Sequence, residues 1–459
     1  PRSTLSSSSA ASDVYKRQYS ESTTMNTVIV NAKIVNEGQV VEGDLSVEGE
    51  RIKGINVSHP SNPKIIDARG AWLIPGMIDD QVHFREPGFE HKGTIETESR
   101  AAVAGGITSY MEMPNCNPLT VTEEALIDKR NRAAKVSSAN YGFYLGATND
   151  NIEDVKSINP RLTCGVKVFM GASTGNMLVD APKILEMIFS STSLLVATHC
   201  EDTPTIREQE SLASEKWGED IPMREHPNIR SEEACYLSSS LAVDLAKKHG
   251  TKLHVLHLTT AREMELFEAG PIEQKKITAE ACVHHLFFSD SDYKDRGTFI
   301  KCNPAIKSIE DRDAIIQAVN EDKIDVIATD HAPHTLEEKN KPYGIAPSGM
   351  PGVETSLALM LDRVNRNDCT LQEVVFWMSE SPANLYNMKG KGRIEVGMDA
   401  DLVLVDLKLK KTIRNGQLHT KVNWSPFDGI ELQGWPVRTF VNGHTVFMNG
   451  KVDRSVRGK

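Results

Sequence analysis

The sequence predicts an α/β chain whose centre is a TIM-type (β/α)8 barrel and whose two ends together build a small β-sandwich domain. Three observations predict it. Through the middle of the chain, short apolar runs alternate with longer stretches of helical composition. At both ends the texture changes to β-branched runs separated by Asn, Glu and Gly. Histidines and carboxylates recur at the C-terminal tips of the central runs, which is where a barrel of this kind gathers its chemistry.

In chain order, residues 1–24 are rich in serine, lack an apolar core segment and carry Asp13 and Glu21, so they fit neither a secretory signal nor a transit peptide. They are expected to be a disordered or non-native leader, with Met25 as the start of the fold. Residues 25–76 supply strands at Thr27–Val35, Val40–Val47 and Arg51–Val57, the first part of the sandwich. The barrel is expected over 77–390. Its eight strands are Met77–Phe84, Ile107–Pro114, Tyr141–Ala147, Gly165–Met170, Leu194–Cys200, Leu253–Leu258, Lys276–Cys282 and Ile324–Thr329. Helices are expected at Thr94–Ala104, Glu123–Val136, Ser231–Lys248, Ala261–Ala269 and Ile309–Asn320, with Gly105-Gly106 and Gly250 as stops. Residues 391–459 return to the sandwich with strands at Ala400–Val405, Lys410–Arg414, Val437–Val441 and Thr445–Phe447, joined by Asn-Gly turns.

At 459 residues the chain is long enough for a large barrel with a smaller domain, and a net charge of −11 lacks the basic footprint of a nucleic-acid binder or an anionic-membrane binder. The expected partner is a small molecule. No apolar run is long enough to span a bilayer. Seven scattered cysteines without a C-x-x-C pair read as reduced thiols of a cytoplasmic enzyme.

The strand tips carry the chemistry. Strand one ends in Asp79-Asp80-Gln81-Val82-His83-Phe84-Arg85, strand five in His199-Cys200-Glu201-Asp202, strand six in His257, and strand eight in Thr329-Asp330-His331-Ala332-Pro333-His334. Imidazole nitrogens and carboxylate oxygens are ligands that Zn²⁺ favours, and a barrel assembles them from several strands. His83, His199 and His257 share one depth in the fold and so need a shared partner; His59, His91, His226, His249, His419 and His444 read as ordinary core or surface residues. His254 reads as structural. His284 and His285, adjacent in an extended run, are expected to face opposite ways.

These motifs resemble those of the amidohydrolase superfamily, and within it the dihydroorotases. The resemblance runs from about Met25 to Lys451 and rests on His83-Phe84-Arg85-Glu86-Pro87-Gly88, Met113-Pro114-Asn115, Lys167-Val168-Phe169-Met170-Gly171, Leu256-His257-Leu258-Thr259, Cys302-Asn303-Pro304, Thr329–His334 and Pro347-Ser348-Gly349-Met350-Pro351-Gly352. It implies zinc, as one or two ions, held by His83, Lys167, His199, His257 and Asp330, with Lys167 carboxylated by carbon dioxide so that a cation becomes an anionic ligand. Asp330 would also move the proton in hydrolysis. Asn115, Asn303 and His334 would contact substrate, and the Ser348-Gly349 backbone would cover it. The implied reaction opens the ring of dihydroorotate to N-carbamoyl-aspartate and can run in reverse; the resemblance also allows a homodimer.

Arg85 decides among related substrates. Residues 81, 83 and 85 alternate along a strand and are expected on one side, which puts the guanidinium beside the metal site. Its fork matches a carboxylate, which dihydroorotate carries and hydantoins and dihydrouracil lack. An allantoinase-like or dihydropyrimidinase-like enzyme therefore fits less well. One residue departs from the family pattern: Gln81 stands where a histidine usually completes an H-x-H pair. Its neutral amide is a weaker ligand, which predicts lower affinity at one metal position, and a catalytically impaired partner subunit is the harsher alternative.

Overall fold

The structure, a computed structural model, describes residues 26–171 and 177–459. The expected leader lies outside them.

The barrel strands are β6 (Met77–Val82), β7 (Ile107–Glu112), β8 (Asn140–Phe143) continued by β9 (Leu145–Gly146), β10 (Val166–Phe169), β11 (Val196–His199), β12 (Leu253–Val255), β13 (Ile277–Cys282) and β14 (Val326–Ala328). Each pairs in parallel with the next in one closed order, and a parallel bridge from Val82 to His331, with the His83 amide donating to the His331 carbonyl at 2.7 Å, joins the last to the first. Nearly every strand residue is buried, because helices cover the outside and side chains fill the inside. An apolar plug of Ile78, Met111, Met113, Tyr144, Ala197 and Leu256 is drawn from five strands and their ends.

Local chemistry starts the helices where the sequence places them. Thr94 and Thr97 form a capping box before Ile95–Ala104, Thr122 caps Glu123–Val136, Ser231 caps Glu232–His249 and Ser308 caps Ile309–Asn320. The helix expected at Ala261–Ala269 shrinks to a 3₁₀ turn, Arg262–Leu266. Pro271 and Gly270 follow it closely, and only Glu263 and Met264 of that turn are buried, so little packing supports a longer helix.

The chain ends meet in one sheet. β1 (Asn26–Asn36), β2 (Gln39–Glu48), β3 (Arg51–Ile55), β4 (Lys64–Asp67) and β5 (Trp72–Pro75) come from the N-terminal side. β15 (Leu402–Thr412), β16 (Glu431–Val441), β17 (His444–Met448) and β18 (Lys451–Val452) come from the C-terminal side. β15 pairs antiparallel with β5, so hydrogen bonds link all nine strands continuously, with β4 added beside β1. Ala400–Val405 and Lys410–Arg414, two runs in the sequence, are largely one bulged strand. The core of this part is Ile29, Ile34, Leu45, Ile52, Leu73, Leu402 and Phe440. No helix among the described residues is long and apolar enough to cross a membrane.

Candidate active site

A pocket of about 230 Å³ opens at the C-terminal mouth of the barrel, lined by Gln81, His83, Arg85, Asn115, Lys167, Phe169, His199, His257, Asn303, Asp330, Ala332, His334, Pro347, Ser348 and Gly349. Every residue singled out from the sequence for metal or substrate lies on its wall.

Two pairs of atoms of metal-binding type converge there. His83 Nδ1 donates to Asn115 Oδ1 at 2.7 Å, which leaves the Nε2 lone pair facing Asp330 Oδ1 at 3.0 Å. His199 Nε2 donates to Glu201 Oε2 at 2.9 Å, and its Nδ1 faces His257 Nε2 at 3.0 Å. Arg230 holds that same Glu201 oxygen at 2.6 Å. Burial pushes His83, His199 and His257 below the usual imidazole range, so the rings are neutral and offer lone pairs. For Asp330, burial is the largest influence and works upward, but the attraction of His83, His284 and Lys167 together outweighs it, and the carboxyl is held below its ordinary range.

Lys167 is the hub. It is 1% exposed, its ammonium lies 4.6 Å from the Phe169 ring centroid, and its charge acts on His83, His199, His257 and Asp330 alike. Burial pulls its pKa down to about 8, against the attraction of Asp330 and Glu280. The donor set fits a divalent cation: three neutral imidazoles, of which His83 and His199 have their other nitrogens engaged by Asn115 and Glu201, and a carboxylate. His257 Nδ1 is buried without a partner.

Among the described residues, two other groupings of His, Cys, Asp and Glu atoms of metal-binding type, Asp80–His254–Glu280 and Cys282–His284–His285, each have those atoms within 4.8 Å of one another. In the first, His254 Nε2 lies 3.2 Å from Asp80 and 3.8 Å from Glu280. Burial opposes its protonation, yet the two carboxylates raise its pKa to about 9, so a protonated imidazole already balances them. That agrees with the structural role read from the sequence. His284 and His285 differ from expectation: they lie on a short helix, Val283–Phe287, with ring centroids 4.1 Å apart, because β13 ends at Cys282.

Arg85 also reaches the pocket by another route than expected. β6 ends at Val82, and Arg85 takes a left-handed backbone, φ 73°, that turns the side chain inward. His257 and Asp330 share this strained region, at φ 38° and 45°. Arg85 Nε donates to the Pro333 carbonyl at 3.0 Å, and a terminal nitrogen lies 3.0 Å from His334 Nε2. Gln81 Nε2 donates to Asp330 Oδ1 at 3.2 Å.

The strand-eight loop is held from behind. Thr329 donates from its amide and hydroxyl to Asp79, and His331 donates from Nε2 to Glu98 at 2.9 Å while Nδ1 accepts from the Gly352 amide at 3.0 Å. Two buried lysines that the sequence did not flag pin the covering loop. Lys339 Nζ donates to the carbonyls of Lys301, Pro347 and Gly349, and Lys301 Nζ to those of Tyr343 and Ala346. Gly349 has φ 130°, and a Cβ there would meet the Ala332 carbonyl at 2.6 Å. At Gly171 a Cβ would lie 1.9 Å from the Glu201 carbonyl, so only glycine lets the lysine strand pass Glu201. Glu201 had one local signal, its place two residues after His199; Lys92, Lys301 and Lys339 had none.

A closed parallel barrel with imidazoles, a carboxylate and a buried lysine at its mouth defines a metal-dependent hydrolase. The family model described as amidohydrolase family matches residues 72–446. The dihydroorotase of Halobacterium salinarum is 35% identical over 422 residues, 90% of this chain and 96% of that protein. Those of Bacillus pumilus and Pyrococcus furiosus are each 33% identical, covering 93% and 94% of this chain and 100% and 95% of their own. Among solved structures, the L-hydantoinase (dihydropyrimidinase) of Arthrobacter aurescens superposes with a TM-score of 0.88 at 27% identity, covering 94% of this chain and 97% of that one. The chain belongs to the amidohydrolase family, and within it to the dihydroorotases.

Proposed function

We propose that the protein hydrolyses the ring amide of (S)-dihydroorotate to N-carbamoyl-L-aspartate, reversibly, as a step of pyrimidine synthesis. The observation that carries this reading is Arg85 beside His334 on the same pocket wall as the ligand cluster. A guanidinium there suits a ring bearing a carboxylate. His83, His199, His257, Asp330 and a carboxylated Lys167 would hold zinc, which when bound lowers the pKa of water from about 15.7 toward about 7 and polarises the carbonyl.

The chain's own groups do the rest. Asp330 accepts the proton of the attacking water as its oxygen bonds to the ring carbonyl carbon; the carbon–nitrogen bond breaks and Asp330 returns the proton to the leaving nitrogen. Arg85 and His334 hold the carboxylate, Asn115 and Asn303 orient the ring, and the Ser348-Gly349 backbone closes over it. Asn303 Oδ1, buried and unpartnered, is free to accept a ring N–H. The seven cysteines are all free thiols, which suits the cytoplasm. A homodimer is part of this reading, with Leu237 and Leu241, exposed one turn apart on helix Glu232–His249, as available apolar surface.

The test is hydrolysis of dihydroorotate, dihydrouracil, hydantoin and allantoin by zinc-loaded protein, before and after chelation. Zinc-dependent opening of dihydroorotate is expected, and Arg85→Met is expected to raise its KM by about a hundredfold, the scale of a lost charge-assisted contact. Preference for a ring without a carboxylate would instead assign a hydantoinase-like activity, and inactivity of folded, loaded protein a non-catalytic subunit.

Gln81 bears on the metal count. Its amide nitrogen faces Asp330 and its oxygen lies 3.8 Å from Cys282 Sγ, so it donates to a ligand where an imidazole would bind. Gln81→His is expected to raise zinc affinity about tenfold or more in a chelator-competition titration, an added imidazole ligand being a gain of that order. Unchanged affinity and stoichiometry would refute the weakened position.

A further inference from the structure

His334 is held between two cations. Its Nδ1 lies 3.0 Å from Lys92 Nζ, and its Nε2 lies 3.0 Å from an Arg85 terminal nitrogen and 3.0 Å from the Ser348 carbonyl. Burial, then Arg85 and Lys92, push its pKa far below the usual range, so the ring is neutral with one N–H. Lysine and arginine can only donate. With the proton on Nδ1, Nε2 would accept from Arg85, but the ring would oppose the nearer Lys92 ammonium, with Glu338 Oε2 at 3.9 Å too far to take that proton, and the Ser348 carbonyl would be unpaired: one contact of three satisfied. With the proton on Nε2, it accepts from Lys92 and donates toward Ser348, satisfying two of three contacts. The third sets the Arg85 guanidinium, itself a donor, against His334 Nε2–H, whose hydrogen the Ser348 carbonyl takes.

Two donors 3.0 Å apart on a pocket wall repel until an anionic oxygen takes the Arg85 hydrogen and shares the Nε2–H with the Ser348 carbonyl. We propose that Lys92 is a positioning residue that selects the Nε2–H tautomer of His334 and so converts His334 and Arg85 into one anion-binding pair. Lys92 does not line the pocket and acts only through the ring. Its own place is set by Glu338, whose Oε1 lies 3.0 Å from Nζ and whose Oε2 accepts from the Thr335 amide and hydroxyl at the start of the short helix Leu336–Lys339. The side chain of Lys92 is 14% exposed, so water competes weakly for the ammonium. Identifying the anion as the carboxylate of dihydroorotate rests on the proposed function; the tautomer does not.

The experiment is long-range proton–nitrogen NMR on the full chain with labelled histidine. His334→Gln identifies the signal among fourteen histidines. The parent protein is expected to show a protonated Nε2 and a bare Nδ1 at His334. Lys92→Met is expected to lose that pattern and to raise KM for dihydroorotate about tenfold, the scale of one charge-assisted hydrogen bond, with kcat changed far less; Lys92→Arg restores both. A protonated Nδ1 in the parent would overturn the proposal, whether or not Lys92→Met folds. So would an unaltered tautomer or an unaltered KM in Lys92→Met. Because the tautomer is read without substrate, a parent protein that leaves dihydroorotate intact would count against the reaction and leave the spectra to judge Lys92.

Discussion

Asp330→Asn is expected to lower kcat for dihydroorotate by roughly three to four orders of magnitude while the protein stays folded. Asparagine keeps the shape that receives Gln81 Nε2 at 3.2 Å and faces His83 Nε2 at 3.0 Å, but its amide has no basic oxygen to take a proton. A positioned general base accounts for about 10²- to 10⁴-fold, and in the proposed reaction Asp330 serves twice, toward water and toward the leaving nitrogen, so the loss should lie at the upper end. That corresponds to about 4 to 5 kcal/mol of barrier. The backbone argues the same way: Asp330 sits at φ 45°, a conformation an ordinary residue adopts only when its surroundings impose it, and Thr329 and His331 on either side are locked to Asp79 and Glu98. Steady-state kinetics with metal content and thermal unfolding measured on the same sample make the check. A metal-loaded variant within tenfold of the parent would remove Asp330 from the chemistry.

Lys167→Met is expected to act differently, abolishing both metal retention and activity. With Lys167 carboxylated, methionine removes the ligand common to both pairs, and zinc content after dialysis should fall by about tenfold or more. Carbon-13 bicarbonate is expected to give a carbamate signal in the parent and none in the variant. The metal-free protein tests the same residue by stability. The unfolded amine holds its proton up to about 10.5, whereas the folded one releases it near 8, so between those values the unfolded state binds more protons. Stability of the metal-free parent should therefore rise with pH from about 8 to about 10.5, with Lys301 and Lys339, lowered by burial to about 8 and about 7, adding to the rise; Lys167→Met should have the shallower slope and be the more stable protein below pH 8. A variant that keeps its zinc, or whose slope equals the parent's, would place the amine outside the cluster.

The strands were the most legible part of this chain. The run Met77–Phe84 is a strand to Val82, Ile324–Thr329 is a strand at Val326–Ala328, and Glu123–Val136 and Ile309–Asn320 are helices with the bounds their periodicity suggests. Helix Thr203–Trp217 escaped because it is nearly all polar, burying only Ile206 and Ala213, so no apolar stripe marks it. Ser356–Asn365 and the linked turns from Leu371 to Leu385 lie in an apolar stretch whose periodicity a π-helical turn at Phe376–Glu380 interrupts. At the site, residue types at strand tips were readable because a barrel brings tips together whatever their spacing. Arg85 lies on the pocket wall, but a left-handed turn and not strand alternation carries it inward. The buried pair of Lys129 with Glu112 and the lysines under the covering loop were invisible, because partners far apart in sequence leave no local pattern.

The pairing of β5 with β15 also sets a schedule for folding. About 330 residues separate these neighbours, so during synthesis the first five strands emerge with β5 presenting an open edge and half an apolar interior. The whole barrel is made before the strand that closes that edge leaves the ribosome. A long loop must be closed late, which slows the final step and prolongs exposure to aggregation. Chains truncated before Leu402 should therefore accumulate as insoluble material rather than as a free barrel, and the last strands act as a latch that commits the molecule to its native state.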